Sequence, residues 1–260
     1  MVALSAPVLE RLLGAGAVGR PGARLCRASD LASHSGERAA MPTAVAALDR
    51  LLPGGLPKGG LIELSGRRSS GRFSLGLAAL AAATSAGQPA ALVDLGDHLD
   101  PQAAEQAGVD LRRLLWARPQ RVKQALAAAE MLIAAGFPLV VADLGLSPRT
   151  RFLPDAVWVR LARAAQAQGA ALLLSTPWRA GGIAADAVVS AAQTRPVWRG
   201  GGRTPRLLDG LQSRLTLEKW GRVTPHRSQP VSLSLDGLEG DDAGALLGTP
   251  AGRDRMLRSA

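Results

Sequence analysis

Leu61-Ile-Glu-Leu-Ser-Gly-Arg-Arg-Ser-Ser-Gly-Arg-Phe-Ser-Leu-Gly76 is the stretch around which the rest of the chain arranges itself. A short apolar run (Leu61, Ile62, Leu64) passes through a loop of Gly, Ser and Arg into the Ala/Leu-rich segment 75–83. Strand, glycine loop and helix form the context that a phosphate-binding P-loop requires, with the consensus G-x-x-x-x-G-K-[ST]. The stretch Gly66-Arg67-Arg68-Ser69-Ser70-Gly71-Arg72-Phe73 keeps the glycine spacing and lacks both chemical residues. Arg72 stands where a lysine would reach the β/γ-phosphates, and Phe73 where a hydroxyl would hold Mg²⁺. Backbone N–H groups of such a loop attract anions whatever the side chains are. The motif therefore reads as a phosphate cradle without its chemistry.

Upstream stands Ala47-Leu48-Asp49-Arg50-Leu51-Leu52-Pro53-Gly54-Gly55-Leu56-Pro57-Lys58-Gly59, and downstream Val93-Asp94-Leu95-Gly96-Asp97-His98-Leu99-Asp100-Pro101. The first resembles the approach to the P-loop in RecA recombinases; the second is similar to their D-A-E-H-x-L-D-P turn after the second core strand. The resemblance covers residues 42–235. The degenerate loop and short N-terminal region resemble the ImuA family, also labelled SulA-like or RecA-like. The resemblance implies an α/β fold: a largely parallel twisted sheet flanked by helices, with an antiparallel edge on its C-terminal side.

Periodicity agrees with that fold. Val8, Leu9, Leu12 and Leu13 make one apolar stripe in residues 1–15, stopped by Gly14, so a short amphipathic helix is expected. It reads either as a docking helix for a partner groove or as a helix folded on its own core. Residues 16–41, rich in Gly, Ser, Arg and Ala, read as linker. In the core, strands are expected at Ala90–Asp94, Leu114–Ala117, Leu139–Asp143 and Ala170–Ser175. Helices are expected after Asp100-Pro101 (N-cap and proline at N1), at Val122–Ala135, and from Pro154 with Val157, Leu161 and Ala164 or Ala165 inward. Alternating strands and helices predict a parallel sheet covered on both faces. From Ala187 the pattern changes to strands at Val188–Val197, Ser213–Trp220 and Pro230–Leu235. A glycine-rich basic tip, Arg199–Arg206, joins the first two. The tail 236–260 has too little apolar content to pack independently and is expected to be mostly disordered.

On this fold, ATP hydrolysis needs a phosphate cradle, a Mg²⁺ site and a group to orient water. Asp143 ends its strand where the resemblance places the Walker B aspartate; the competing reading is a plain strand end. The position of the family's catalytic glutamate is Gly96, and that of its γ-phosphate-sensing glutamine is Pro177. Losing one preorganised donor typically costs on the order of 10²–10³ in rate. Four departures together predict no enzymatic activity, no ATP cofactor, and an Arg72→Ala variant whose function stays near wild type. The edge stretch Lys219–Pro225 keeps one basic residue in register, Arg222, of those that bridge to a neighbour's ATP in RecA.

The two DNA-binding loops of RecA proteins correspond to Gly145–Leu153 and Trp178–Gly182. Arg149, Arg151, Phe152, Trp178 and Arg179, with Arg199, Arg203 and Arg206 of the hairpin tip, are the candidate DNA contacts. Charge beside a stackable aromatic suits single-stranded nucleic acid, though an aromatic next to a core strand also packs. The formal net charge is +10, and all but three of the 31 Lys and Arg residues are arginine. That balance fits a polyanionic partner and equally a GC-rich coding bias.

Cys26 is the single cysteine, and His34, His98 and His226 are scattered, which predicts no disulfide framework and no metal site. No apolar stretch approaches membrane-spanning length and no signal peptide is visible, so a cytoplasmic, nucleoid-associated protein is expected. The ImuA resemblance implies a non-catalytic accessory protein of the SOS response, in translesion synthesis, DNA repair and mutagenesis after DNA damage. It implies as partners a Y-family-polymerase-like protein of the ImuB type and an error-prone replicative-type DNA polymerase, with a RecA filament and single-stranded DNA as further candidates. Two alternatives stay open: a divergent recombinase-type ATPase acting on single-stranded DNA, and a SulA-like cell-division inhibitor that binds a tubulin-like partner.

Overall fold

Alternation along the central strands sorts their side chains to two opposite faces. Ile62 and Leu64, Leu92, Val141, Leu173 and Val189 join one buried cluster. Their neighbours Leu61, Ala91 and Val93, Val140, Leu172 and Leu174, and Val188 join another. Strands apolar on both faces need cover on both.

The computed structural model describes residues 39–145, 153–200 and 206–234. All the elements below lie in one compact unit, Ala40–Ala260. They are β1 (Ala40–Met41), α1 (Ala46–Leu51), β2 (Leu56–Pro57), β3 (Leu61–Gly66), α2 (Arg72–Ser85), β4 (Ala90–Asp94) and α3 (Pro101–Gln106). After a 3₁₀ turn follow β5 (Leu114–Ala117), α4 (Val122–Ala134), β6 (Leu139–Asp143), α5 (Asp155–Gln168), β7 (Ala171–Thr176), β8 (Ala187–Arg199), β9 (Leu207–Trp220) and β10 (Arg227–Ser234). The eight-stranded sheet runs β10-β9-β8-β3-β7-β6-β4-β5. From β8 through β5 every pairing is parallel, while β9 and β10 add an antiparallel edge. The expected fold class is the one observed.

Helices α1, α2 and α3 cover one face, with Leu48, Leu51, Leu75, Leu80 and Ala104 buried. Helices α4 and α5 cover the other through Leu126, Ile133, Trp158, Leu161 and Ala165. Local signals set the helix ends. Asp100 caps α3 by accepting from the Gln102 and Ala103 N–H groups, and Gly169 closes α5 in the left-handed region.

Several boundaries differ from expectation. Ala40–Met41 pairs with Leu56–Pro57, so the expected linker gives way to a strand two residues early. The inward stripe of α5 is Trp158, Leu161 and Ala165, with Val157 only partly buried. The hairpin strands β8 and β9 reach Arg199 and start at Leu207, longer than the sequence pattern indicates. Along β9, Leu215 and Leu217 are buried and Arg214 is exposed, as the alternation requires. The expected N-terminal helix (Val8, Leu9, Leu12, Leu13), most of the linker, Arg149, Arg151, Phe152, Arg203 and the tail 236–260 lie outside the described residues. Among the described residues, no helix is long and apolar enough to cross a membrane.

Candidate functional site

The parallel strands β3, β4, β6 and β7 deliver their C-terminal ends to one place, where ligands bind in open α/β sheets. Asp94 and Asp143 are paired in register there, and Ser175 is the partner of Asp143 on β7. Above them turns the glycine loop. Gly71 takes φ +88°, a left-handed conformation suited to glycine, before α2 begins at Arg72.

At the crest, Arg67, Arg68 and Ser69 are exposed, but the residues at the chemical positions face inward. Arg72 is buried, and its Nη1 donates to Ser175 Oγ at 2.6 Å and to Asp143 Oδ1 at 3.4 Å. Ser175 Oγ in turn donates to Asp143 Oδ1 at 2.7 Å. Burial lowers the Arg72 pKa from its ordinary value, and the charge of Asp143 opposes that. Removing Arg72 would take one donor from Ser175 and Asp143, which stay bonded to each other. Ser70 is buried as well, with an unpartnered Oγ. Leu233 of β10 packs so closely on Gly71 that a β-carbon there would overlap it.

Phe73, in the place of the Mg²⁺-binding hydroxyl, sets its ring edge-on to His98 with centroids 5.8 Å apart. The His98 ring lies against Gly96, where a β-carbon would fall inside it. The space beside the catalytic-glutamate position is thus filled by an imidazole. His98 Nδ1 stands 3.2 Å from Asp143 Oδ2 and 3.9 Å from Asp94 Oδ1. Asp94 serves its expected turn role through Oδ2, which accepts from Leu99 N at 2.9 Å. Beside it opens a crevice of about 530 Å³ lined by Asp94, Leu95, Asp97, Arg118, Pro119 and Gln120. At its mouth Arg118 forks onto Asp97 with 2.7 and 2.6 Å hydrogen bonds, holding that carboxyl below its usual range, and stacks on Trp116.

A second buried polar group sits at β3. Glu63 accepts from Thr176 Oγ1 at 3.0 Å, from Gly181 N at 2.9 Å and from Ala180 N. Burial pushes its carboxyl above the ordinary value, with the Ala180, Gly181 and Thr176 hydrogen bonds and the Arg179 charge pulling the other way. Lys219 Nζ donates to the Gly182 and Ile183 carbonyls, and Arg179 pairs with Glu218 at 3.8 Å. The loop Trp178–Gly182 is therefore fastened from β3 and from β9. Its Trp178 is half-buried with an enclosed, unpartnered indole nitrogen, while Arg179 is exposed.

The structure brings Arg72, Phe73 and Asp143 together but spreads the candidate DNA contacts. Arg199 pairs with Asp209 on the β8–β9 hairpin, and Arg206 is exposed just before β9. Sequence reasoning missed His98, Ser175 and Glu63 as site residues. Glu63 alone carried a signal, a single carboxylate in a strand apolar on both faces.

Residues 8–156 match the family model of the RecA N-terminal domain. Protein RecA of Clavibacter michiganensis subsp. michiganensis is 45% identical over 107 residues, 40% of this chain and 30% of that protein. Protein RecA of Streptomyces ambofaciens is 39% identical over 137 residues, 52% and 34% of the two chains. Protein RecA of Mycobacterium marinum is 45% identical over 105 residues, 40% and 30%. The aligned part of the chain spans about a third of the length of the curated relatives it matches.

Proposed function

Because this chain belongs to the family of the RecA N-terminal domain, we propose that it keeps that scaffold for protein contacts and has given up nucleotide chemistry. The observation that carries the reading is the inward turn of Arg72 onto Ser175 and Asp143. The residues present do not fit Mg²⁺·ATP. The cation at the lysine position is spent on the strand ends, the hydroxyl position is an aromatic ring, and His98 fills the space beside Gly96. A phosphate-transfer site needs these groups free and aimed at the substrate.

On this reading the protein is an accessory component of DNA-damage-induced translesion synthesis, without enzymatic activity or ATP cofactor, acting in the cytoplasm beside the nucleoid. The resemblance of its degenerate loop to the ImuA family supports that role. Its partners are a Y-family-polymerase-like protein of the ImuB type and an error-prone replicative-type polymerase. A RecA filament and single-stranded DNA are candidates to be tested with them. The fastened Trp178–Gly182 loop supports protein contacts over a mobile DNA grip.

Thermal melting with and without ATP·Mg²⁺ tests the reading. A ligand at a hundred times its Kd stabilises a protein by about 2.7 kcal/mol. An unchanged melting temperature, together with co-purification of the two polymerase-type partners, is expected. A rise of several degrees with ATP would restore the recombinase-type ATPase alternative.

A further inference from the structure

We propose that Asp94, His98 and Asp143 form a nucleotide-independent site for a divalent transition-metal ion of the zinc class. The three groups present ligand atoms that all lie within 4.8 Å of one another. Metal–ligand bonds of about 2.0–2.1 Å in a tetrahedron place neighbouring ligand atoms about 3.3 Å apart. The observed separations from His98 Nδ1, 3.2 Å to Asp143 Oδ2 and 3.9 Å to Asp94 Oδ1, bracket that edge.

Proximity alone would not make a site, and a second observation points to a ligand. Asp94 is fully buried, yet its Oδ1 has no hydrogen-bond donor. A buried carboxylate oxygen without a partner is costly, and a cation is the species that relieves it. The two carboxylates divide their oxygens alike. Asp94 Oδ2 is held by Leu99 N, and Asp143 Oδ1 by Ser175 Oγ and Arg72 Nη1. The remaining oxygen of each is turned to His98. Outer hydrogen bonds that orient ligating groups are the usual support of a metal site.

The histidine is held in place as well. Gly96 leaves room for its ring, and Phe73 packs against it. The His98 side chain is 47% exposed, and Asp94 also lines the neighbouring crevice, so the cluster borders solvent on the His98 side. Imidazole with two carboxylates is a borderline donor set that suits zinc and cobalt. The expectation of no metal site counted histidines and overlooked carboxylates gathered around one of them. The inference stands apart from the accessory role proposed above.

The test uses the full chain, stripped with EDTA and free of nucleotide, titrated with Zn²⁺ against a chromophoric chelator. One tightly held equivalent is expected. His98→Ala and Asp94→Asn should each weaken binding by about a hundredfold, at the upper end of what even a supporting residue costs. His226→Ala and the double variant C26S/H34A should bind as wild type. Cobalt(II) should give a visible d–d spectrum that His98→Ala removes. His98 is half-exposed, so this variant decides the matter even if Asp94→Asn folds poorly. No binding above the chelator's reach, or His98→Ala binding zinc like wild type, would overturn the proposal.

Discussion

Glu63 and Asp94 are both fully buried carboxylates on strands of one sheet, and they are treated in opposite ways. Both Glu63 oxygens accept hydrogen bonds, from the Thr176 hydroxyl at the end of β7 and from the Ala180 and Gly181 N–H groups of the loop after it. One Asp94 oxygen holds its own turn and the other has no donor. The first arrangement is a fastener with nothing left over. The second, with Asp143 and His98 beside it, keeps unspent binding capacity in the place where the fold ordinarily does its chemistry. Burial alone therefore does not separate a structural acid from a site; the hydrogen bonds left unmade do.

Removing the fastener should have the largest effect. Glu63→Ala leaves the Ala180 and Gly181 N–H groups and the Thr176 hydroxyl without an acceptor. Unsatisfied buried groups cost about 1–3 kcal/mol each, so a loss of about 3–5 kcal/mol is expected in chemical denaturation. Proteolysis at Arg179 should accelerate with it. A loss under about 1 kcal/mol would mean that water replaces the carboxylate, and the contrast with Asp94 would break.

Arg72→Ala should cost less, about 2 kcal/mol, because Ser175 and His98 still serve Asp143. Arg72→Lys should recover part of that stability and no ATP turnover, since Phe73 still occupies the Mg²⁺-ligand position. A neutral Arg72→Ala would mean that its contacts with Ser175 and Asp143 add nothing net to stability.

The smallest effect is a pH slope. The Glu63 carboxyl is raised above its ordinary value of 4.5, so in the window above 4.5 the folded protein holds a proton that the unfolded chain has released. Stability then falls as pH rises through that window and levels off above the raised value. Glu63→Gln should remove the slope in pH-dependent urea unfolding. A slope that survives the substitution would assign the proton to another group.

Much of the fold was legible because its signals are local. The Gly66 and Gly71 spacing, the Asp100-Pro101 cap and the apolar runs of β4 and β6 each depend on a few adjacent residues. Only the first inward residue of α5 was read one position off, since Val157 and Trp158 both repeat acceptably with Leu161. The hairpin strands were read short because Arg199, Leu207 and Leu208 lie exposed near the hairpin tip, where no alternation marks them.

The candidate site was only half legible. That Arg72 and Phe73 replace the chemical residues is plain in the sequence, but which way Arg72 turns depends on Ser175, 103 residues away. His98 and Asp143 are 45 residues apart and meet only because β4 and β6 lie side by side. No motif spans such a separation.

The most direct measurement is ATP turnover by the purified full chain with Mg²⁺ and single-stranded DNA, with Arg72→Ala in parallel. Phosphate release at the no-protein background for both proteins is the expected result. Turnover above background that Arg72→Ala abolishes would contradict the central claim, because Arg72 would then be working on phosphate and not on Asp143 and Ser175.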